Sequence, residues 1–446
     1  MVIAPPRSVP ELPGSALGQT LALVADPIRF LARQQQRYGD TFSARVLGWR
    51  SPPVLFTGDP AWVQAIFTAP PEQFALGQVT QVFRPLTGDR SLIALDGHEH
   101  QRQRRLLMPP LHGDRLRAYG EAITAITRRI AEALPRDRAV VIRQPLAEIT
   151  LHIILQVVFG LQAGPRYDQL HQLISRLLES ITDPLYSSLF FFPLLQQDWG
   201  PWSPWGHFRR RLAAIDALIF AEIAARSRDA GDRPDILSLL LAAREEQGEG
   251  LTAQELRDQL VTLLLLGHET TASSLAWALY WLHSQPGILP RLRDELAGVT
   301  EPEAIARLPY LNALCQEALR LYPIALIAQP RVVRQPFACQ GHEFPPGAIL
   351  VACIYLAHQR AATFADPQCF RPERFLEGSF SAYEFFPFGG GSRSCIGAAF
   401  ALYEMKLILA TLLQTCQLQL APQAPIRPVR RGITIVPSGG VRLVRG

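Results

Sequence analysis

Phe388-Gly389-Gly390-Gly391-Ser392-Arg393-Ser394-Cys395-Ile396-Gly397 sets one cysteine at the end of a glycine-rich loop and at the head of an apolar stretch with helical periodicity. A thiolate needs its charge stabilised, and a helix start offers the positive end of the macrodipole together with N–H groups that lack intrahelical partners. The glycines let the backbone take positive φ and approach the sulfur closely. Arg393, two residues before the cysteine, supplies a fixed cation for an anionic group. The chemistry this suggests is thiolate ligation of iron by Cys395. A glycine-rich turn followed by a buried structural cysteine is the plainer alternative for an isolated Cys-x-Gly.

Gly267-His268-Glu269-Thr270-Thr271 puts an acid and a hydroxyl in the middle of an otherwise apolar, helix-periodic run. Polar groups there cost free energy unless satisfied. An acid and an alcohol side by side can relay protons from solvent, and Gly267 leaves room for a small ligand. The competing reading is a helix kink in which threonine bonds back to its own backbone. His268-Glu269 begins like the His-Glu-x-x-His of zinc peptidases, but position 272 is Ala272, so the second ligand is missing. Glu317 and Arg320 are spaced i, i+3 and share a helix face, as do His100 and Arg104 at i, i+4. An exposed ion pair of this kind contributes little on its own.

The elements that must position these residues are mainly helical. Helices are expected near 60–67, 98–108, 114–134, 146–160, 166–181, 205–228, 234–244, 252–283, 287–297, 309–321 and 396–413. Thr41 to Val46 and Pro53 to Thr57 read as a hairpin around Gly48, and 329–353 reads as a second small β region turned at Pro345-Pro346-Gly347. The apolar run Val261 to Leu266 is too short for a membrane span before Gly267-His268-Glu269, so 252–283 reads as a buried helix. The expected fold is mainly α: one domain over 1–446 with a helix-rich part, small β-sheets near the N-terminus and in the C-terminal half, and a proline-rich segment over about 1–25.

Of the 446 residues 48% are hydrophobic and 19% charged, enough to bury a large core. The net charge of +5 rests on arginine, because Lys406 is the only lysine. No long basic run interleaved with aromatics points to nucleic acid. The six cysteines contain no Cys-x-x-Cys pair, which speaks against a zinc ribbon or an iron–sulfur centre and for a reducing compartment. Met1 to Gly14 has neither the apolar core of a signal peptide nor a spanning run, so a cytoplasmic protein without a membrane span is expected.

The decapeptide around Cys395 resembles the haem-binding signature of the cytochrome P450 family, of the soluble bacterial type: Phe388, Gly391, a basic residue at Arg393, Cys395 and Gly397 all match. The 267–271 segment resembles that family's oxygen-binding groove, departing from it at Leu266, where a small residue is usual. The resemblance implies haem b with Cys395 as axial thiolate in a loop that includes Phe388, Gly389 and Gly397, and propionates held by His100, Arg104, Arg331 and Arg393. It implies a proton relay through Glu269 and Thr270 beside Gly267. Glu317-x-x-Arg320 with Arg374 of Pro372-Glu373-Arg374-Phe375 would form a structural network fixing the cysteine loop.

The reaction so implied is a mono-oxygenation using dioxygen, with one atom entering the substrate and the other leaving as water. No flavin or nicotinamide site is visible in the chain, so electrons from NAD(P)H would arrive through an external ferredoxin and ferredoxin reductase, docked on the outward-facing part of the cluster Arg102, Arg104, Arg105, Arg115 and Arg117, since Arg104 is assigned to haem. Family position makes Phe74, Val82, Phe83, Leu92, Leu263, Leu266, Ile324, Leu326 and Ile327 candidates for lining the substrate pocket. Their apolar character suits a lipophilic substrate such as a fatty acid, alkane or terpenoid. The aromatic segment from Phe190-Phe191-Phe192 through Trp199, Trp202 and Trp205 reads as a lid, as a peripheral contact with a membrane surface, or as ordinary core. A peroxygenase and a haem-thiolate sensor are the alternatives, and the acid–alcohol pair favours the dioxygen route over both.

Overall fold

The computed structural model describes residues 9–77, 80–182, 190, 196–200, 202–228, 233–244, 248, 250–432 and 434–446. The chain divides into two compact units, one built from residues 1–79, 313–395 and 427–436, the other from 80–312, 396–426 and 437–446.

The first unit carries the main sheet, whose strand order is Thr41–Ala44, Val54–Thr57, Ile349–Ala352, Arg331–Val333 and Phe74–Ala75. The expected hairpin forms with Thr41 opposite Thr57. Its second strand runs parallel to Ile349–Ala352, with Val54 opposite Ile349, and Arg331 pairs with Leu350 in the antiparallel neighbour. Phe337–Cys339 and His342–Phe344 make a separate two-stranded ribbon. Apolar residues from this ribbon, the main sheet and the helix Pro60–Thr68 close one core around Val63, Ile66, Phe67, Phe74 and Phe337.

The N-terminal stretch read as proline-rich over 1–25 holds a helix, Ala16–Ala25, followed at once by Pro27–Tyr38. The prolines end at Pro13, and Ser15 then caps the first helix by accepting the N–H of Gly18, while Asp26 caps the second by accepting that of Arg29. Local capping outweighed the composition of the segment.

Among the described residues the second unit holds helices and one three-stranded sheet, Ala139–Val141, Arg442–Arg445 and Leu418–Leu420. Its longest helix, Ala253–Ser284, starts at a capping box in which Thr252 and Glu255 satisfy each other's backbone N–H groups, and it stops before Pro286. It is buried along most of its length. Ala398–Thr415 packs on the helix Gly120–Glu132, where Gly120 is needed: a Cβ there would meet the Tyr403 hydroxyl at 2.6 Å and Pro302 at 2.7 Å. Among the described residues Ala398–Thr415 is the one helix long and apolar enough to cross a membrane, and over half of it is buried inside the fold.

Candidate functional site

The loop around Cys395 is shaped by the helix beneath it. Gly389 and Gly391 take φ of +69° and +66°, and a Cβ on Gly391 would meet the Phe67 carbonyl oxygen at 2.3 Å, so only glycine lets the loop lie this low. Gly390 lies against the Phe67 ring just as closely. The loop closes on itself where Cys395 N–H donates to the Phe388 carbonyl at 2.9 Å. Cys395 is exposed, whereas Cys315, Cys339, Cys353 and Cys416 are buried; burial pushes the Cys339 thiol up to about 11 and the Cys353 thiol up to about 12. The cysteine at the loop's end is therefore not the inert core residue of the plainer alternative.

Arg331, at the start of its strand, is 3% exposed and donates to the carbonyls of Gln329 at 2.8 Å and Gly390 at 3.2 Å. Burial, with a smaller contribution from Arg393, lowers its pKa to about 10. Arg331 is thus a guanidinium buried against carbonyl oxygens, with a second guanidinium adding to the cost of keeping it charged.

Glu317, Arg320 and Arg374 meet in the interior of the first unit. Arg320 Nε and Nη2 donate to the two Glu317 carboxylate oxygens at 2.6 and 2.8 Å, and Arg374 Nε adds a third bond at 3.1 Å. Backbone Arg371 N–H donates to the same carboxylate at 2.8 Å. Arg320 Nη1 reaches the carbonyls of His358 and Pro367. His358, fully buried, in turn accepts the N–H of Phe386 on Nε2 at 3.1 Å, two residues before the cysteine loop. Desolvation holds its pKa down at about 3, so it stays a neutral acceptor. Hydrogen bonds thus run from Glu317 through Arg320 and His358 to Phe386. Sequence reasoning passed over His358 because a lone histidine after Leu356-Ala357 carries no motif.

In the second unit the helix Ala253–Ser284 runs unbroken through Gly267, Glu269 and Thr270. Glu269 is paired with Arg143 at 2.9 Å, both largely buried, and a Cβ on Gly267 would meet Ile154 at 3.3 Å. Thr270 donates to the Leu266 carbonyl at 2.6 Å, Thr271 to that of Gly267 at 3.0 Å and Ser274 to that of Thr270 at 3.0 Å. The back-bonding weighed as an alternative is therefore present in this helix. A residue with no sequence signal stands beside it: Glu404, 1% exposed in the apolar helix Ala398–Thr415, has its Oε1 without a hydrogen-bond partner. Burial pushes its pKa up to about 8, opposed only by a hydrogen bond with Thr271.

His100, 4% exposed, and Arg104, half-buried, lie on the helix Gly97–Leu107 of this second unit. Of the five arginines expected to meet a redox partner, two are engaged in ion pairs. Arg102 is drawn inward to Glu255 at 2.8 Å and to the Gly250 carbonyl, and Arg117 pairs with Asp114 at 3.3 Å and Glu303 at 3.7 Å. Arg105 and Arg115 remain exposed. Glu255 sits 153 positions from Arg102, a distance no local pattern could bridge.

Of the lining candidates in the first unit, Phe74 packs on Phe337 in the core, Ile324 is buried, Leu326 packs against the strand side chains, and Ile327 is 36% exposed. In the second unit Leu92 is buried, Val82, Phe83 and Leu263 are half-buried, and Leu266 is 38% exposed. Within the aromatic segment, Phe191, Phe192 and Pro193 lie outside the described residues. Trp205 is core, against Phe208 and Phe190, while Trp199 and Trp202 are exposed by 67% and 92%.

Comparison with known proteins identifies the family. Residues 9–442 match the family model for cytochrome P450. The chain is 33% identical over 436 residues to the protein named cytochrome P450 135B1 of Mycobacterium tuberculosis, covering 97% of this chain and 90% of the relative. It is 34% identical over 448 residues to cytochrome P450 138 of the same organism, covering 99% and 97%. A solved structure, the retinoic acid bound cyanobacterial CYP120A1, superposes with a TM-score of 0.83 at 27% identity over 98% of this chain and all of its own. A full-length family match, two relatives above 30% identity and the shared fold lead to one conclusion: the chain belongs to the cytochrome P450 family, the haem-thiolate monooxygenases that draw on a redox partner, dioxygen and an apolar substrate.

Proposed function

We propose that this chain hydroxylates a lipophilic molecule in the cytoplasm, with haem b held by Cys395 and electrons drawn from NAD(P)H through a ferredoxin and its reductase. The observation that carries the reading is Arg331, buried and held only by carbonyl oxygens among its hydrogen bonds, with burial and then Arg393 pulling its pKa down. That is the environment a dianionic porphyrin edge would relieve, and the glycine loop pressed onto Phe67 leaves Cys395 exposed beside it in sequence. The residues present therefore fit the group. His100 and Arg104 are proposed as further propionate partners on the family pattern alone.

When bound, the haem supplies one-electron chemistry and oxygen activation, which thiolate ligation favours. The protein's own part is to hold the sulfur, exclude water and move protons. Gly389 to Gly391 fix the loop, and the hydrogen bonds from Glu317 to Phe386 fix its approach. Thr270, while donating to the Leu266 carbonyl, keeps acceptor lone pairs on Oγ1, so it can hold a water or a ligand hydroxyl without breaking the helix. Glu269, gripped by Arg143, supplies the carboxylate next to it in sequence through which that hydroxyl is recharged with protons.

The substrate class rests on apolar side chains left exposed in the fold, Leu266 and Ile327, and on the retinoic acid bound by the cyanobacterial structure. Fatty acids, alkanes and terpenoids share that character. Arg105 and Arg115 are the cations free to meet an acidic ferredoxin. The test is NAD(P)H consumption by the holoprotein with a surrogate ferredoxin and reductase against a panel of such compounds. Coupled hydroxylated product supports the reading. Product formed only from added peroxide, or spectral binding with no turnover on any compound, overturns it.

A further inference from the structure

Two helices of the second unit, Arg143–Ile153 and Pro165–Thr182, bring Glu148, His152 and His171 to one point. The spacing makes this a built arrangement. Glu148 and His152 are i, i+4 on the first helix, and Tyr167 and His171 are i, i+4 on the second, so each pair projects from one face. His152 Nε2 lies 2.9 Å and His171 Nε2 3.0 Å from the same oxygen, Glu148 Oε1, and the three ligand atoms all fall within 4.8 Å of one another. The two imidazole rings stack at 5.1 Å with 22° between their planes. His152 Nδ1 is hydrogen-bonded to the Tyr167 hydroxyl, which fixes the ring and directs its other nitrogen at Glu148.

The geometry points to a zinc site: we propose that Glu148, His152 and His171 bind one Zn²⁺ and clip these two helices together. Two imidazoles and a carboxylate are a donor set zinc favours, with bonds of about 2.0–2.2 Å that place neighbouring ligand atoms of a tetrahedral site about 3.3 Å apart. The two nitrogen–oxygen separations need open by only a few tenths of an ångström to admit the ion. The Glu148 side chain is 43% exposed, so water can complete the fourth position. Nothing in this cluster belongs to the residues proposed for haem or proton transfer.

The test is equilibrium dialysis of chelator-treated ferric holoprotein against Zn²⁺, with bound metal counted by elemental analysis and thermal melts run in parallel. One zinc per chain is expected, with a melting temperature raised by zinc. His171→Ala should abolish both effects. Glu148→Gln, close in shape and therefore safe for folding, should weaken binding at least tenfold, and Tyr167→Phe should weaken it by 10–100-fold as the loss of an outer hydrogen bond does. His207→Ala, at an exposed site elsewhere, should change nothing. Uptake unchanged in His171→Ala and Glu148→Gln would assign the metal to adventitious surface histidines, and no uptake by the parent protein would leave the cluster an ion-paired contact; either result overturns the site.

Discussion

Replacing Glu404 by glutamine should make the protein's stability less sensitive to pH. The carboxyl is buried in an apolar helix, with one oxygen unpartnered and a pKa pushed up from 4.5 to about 8 by desolvation. The contact with Thr271 opposes this rise without reversing it. Between about pH 4.5 and 8 the folded chain therefore holds a proton that the unfolded chain has released, and stability falls as pH rises through that window. The slope approaches about 1.4 kcal/mol per pH unit, so two units from pH 5.5 to 7.5 cost about 3 kcal/mol. For a chain of this length, that is about 3 °C in melting temperature. The amide is close in shape to the carboxyl and carries no titration. Melting both proteins across this range isolates the term, because other titrating groups cancel in the difference. The variant's melting temperature minus the parent's should climb by about 3 °C toward pH 7.5. A difference that stays flat refutes a raised Glu404 pKa.

Glu317→Gln leaves two buried guanidiniums, Arg320 and Arg374, facing a neutral amide, and should cost 3–5 kcal/mol by chemical denaturation together with haem retention; parent-like stability would show the network to be dispensable. Arg105→Glu combined with Arg115→Glu should slow reduction by an acidic ferredoxin severalfold at low salt and little at high salt, measured by stopped flow; equal rates at both would remove these cations from docking. Thr270→Ala should retain haem while uncoupling NAD(P)H oxidation from product, with peroxide appearing in its place; full coupling would deny the hydroxyl a part in proton delivery.

Much of this architecture could be read from periodicity because its helices are long. Pro309–Leu321 has the expected bounds, and Ala253–Ser284 is displaced by one residue from 252–283. Short helices such as Pro302–Ala306 and Ile354–His358 were missed, since five residues do not span enough turns to establish a period. At the site, the cysteine loop was legible because glycine positions record steric demands locally, here the approach of Phe67 to Gly390 and Gly391. What stayed hidden depended on partners distant in sequence. Glu404 looks like a surface acid until its helix is seen to be buried, His358 acquires meaning only from Phe386 and Arg320, and Arg102 looks like a docking cation until Glu255 claims it.

The account rests on Cys395 as the haem's thiolate ligand, and the carbon monoxide difference spectrum of the reduced protein tests it most directly. The parent protein should show the Soret band characteristic of thiolate ligation, and Cys395→Ala should abolish it. Survival of that band in the variant, or a parent spectrum typical of nitrogen ligation, would contradict the assignment.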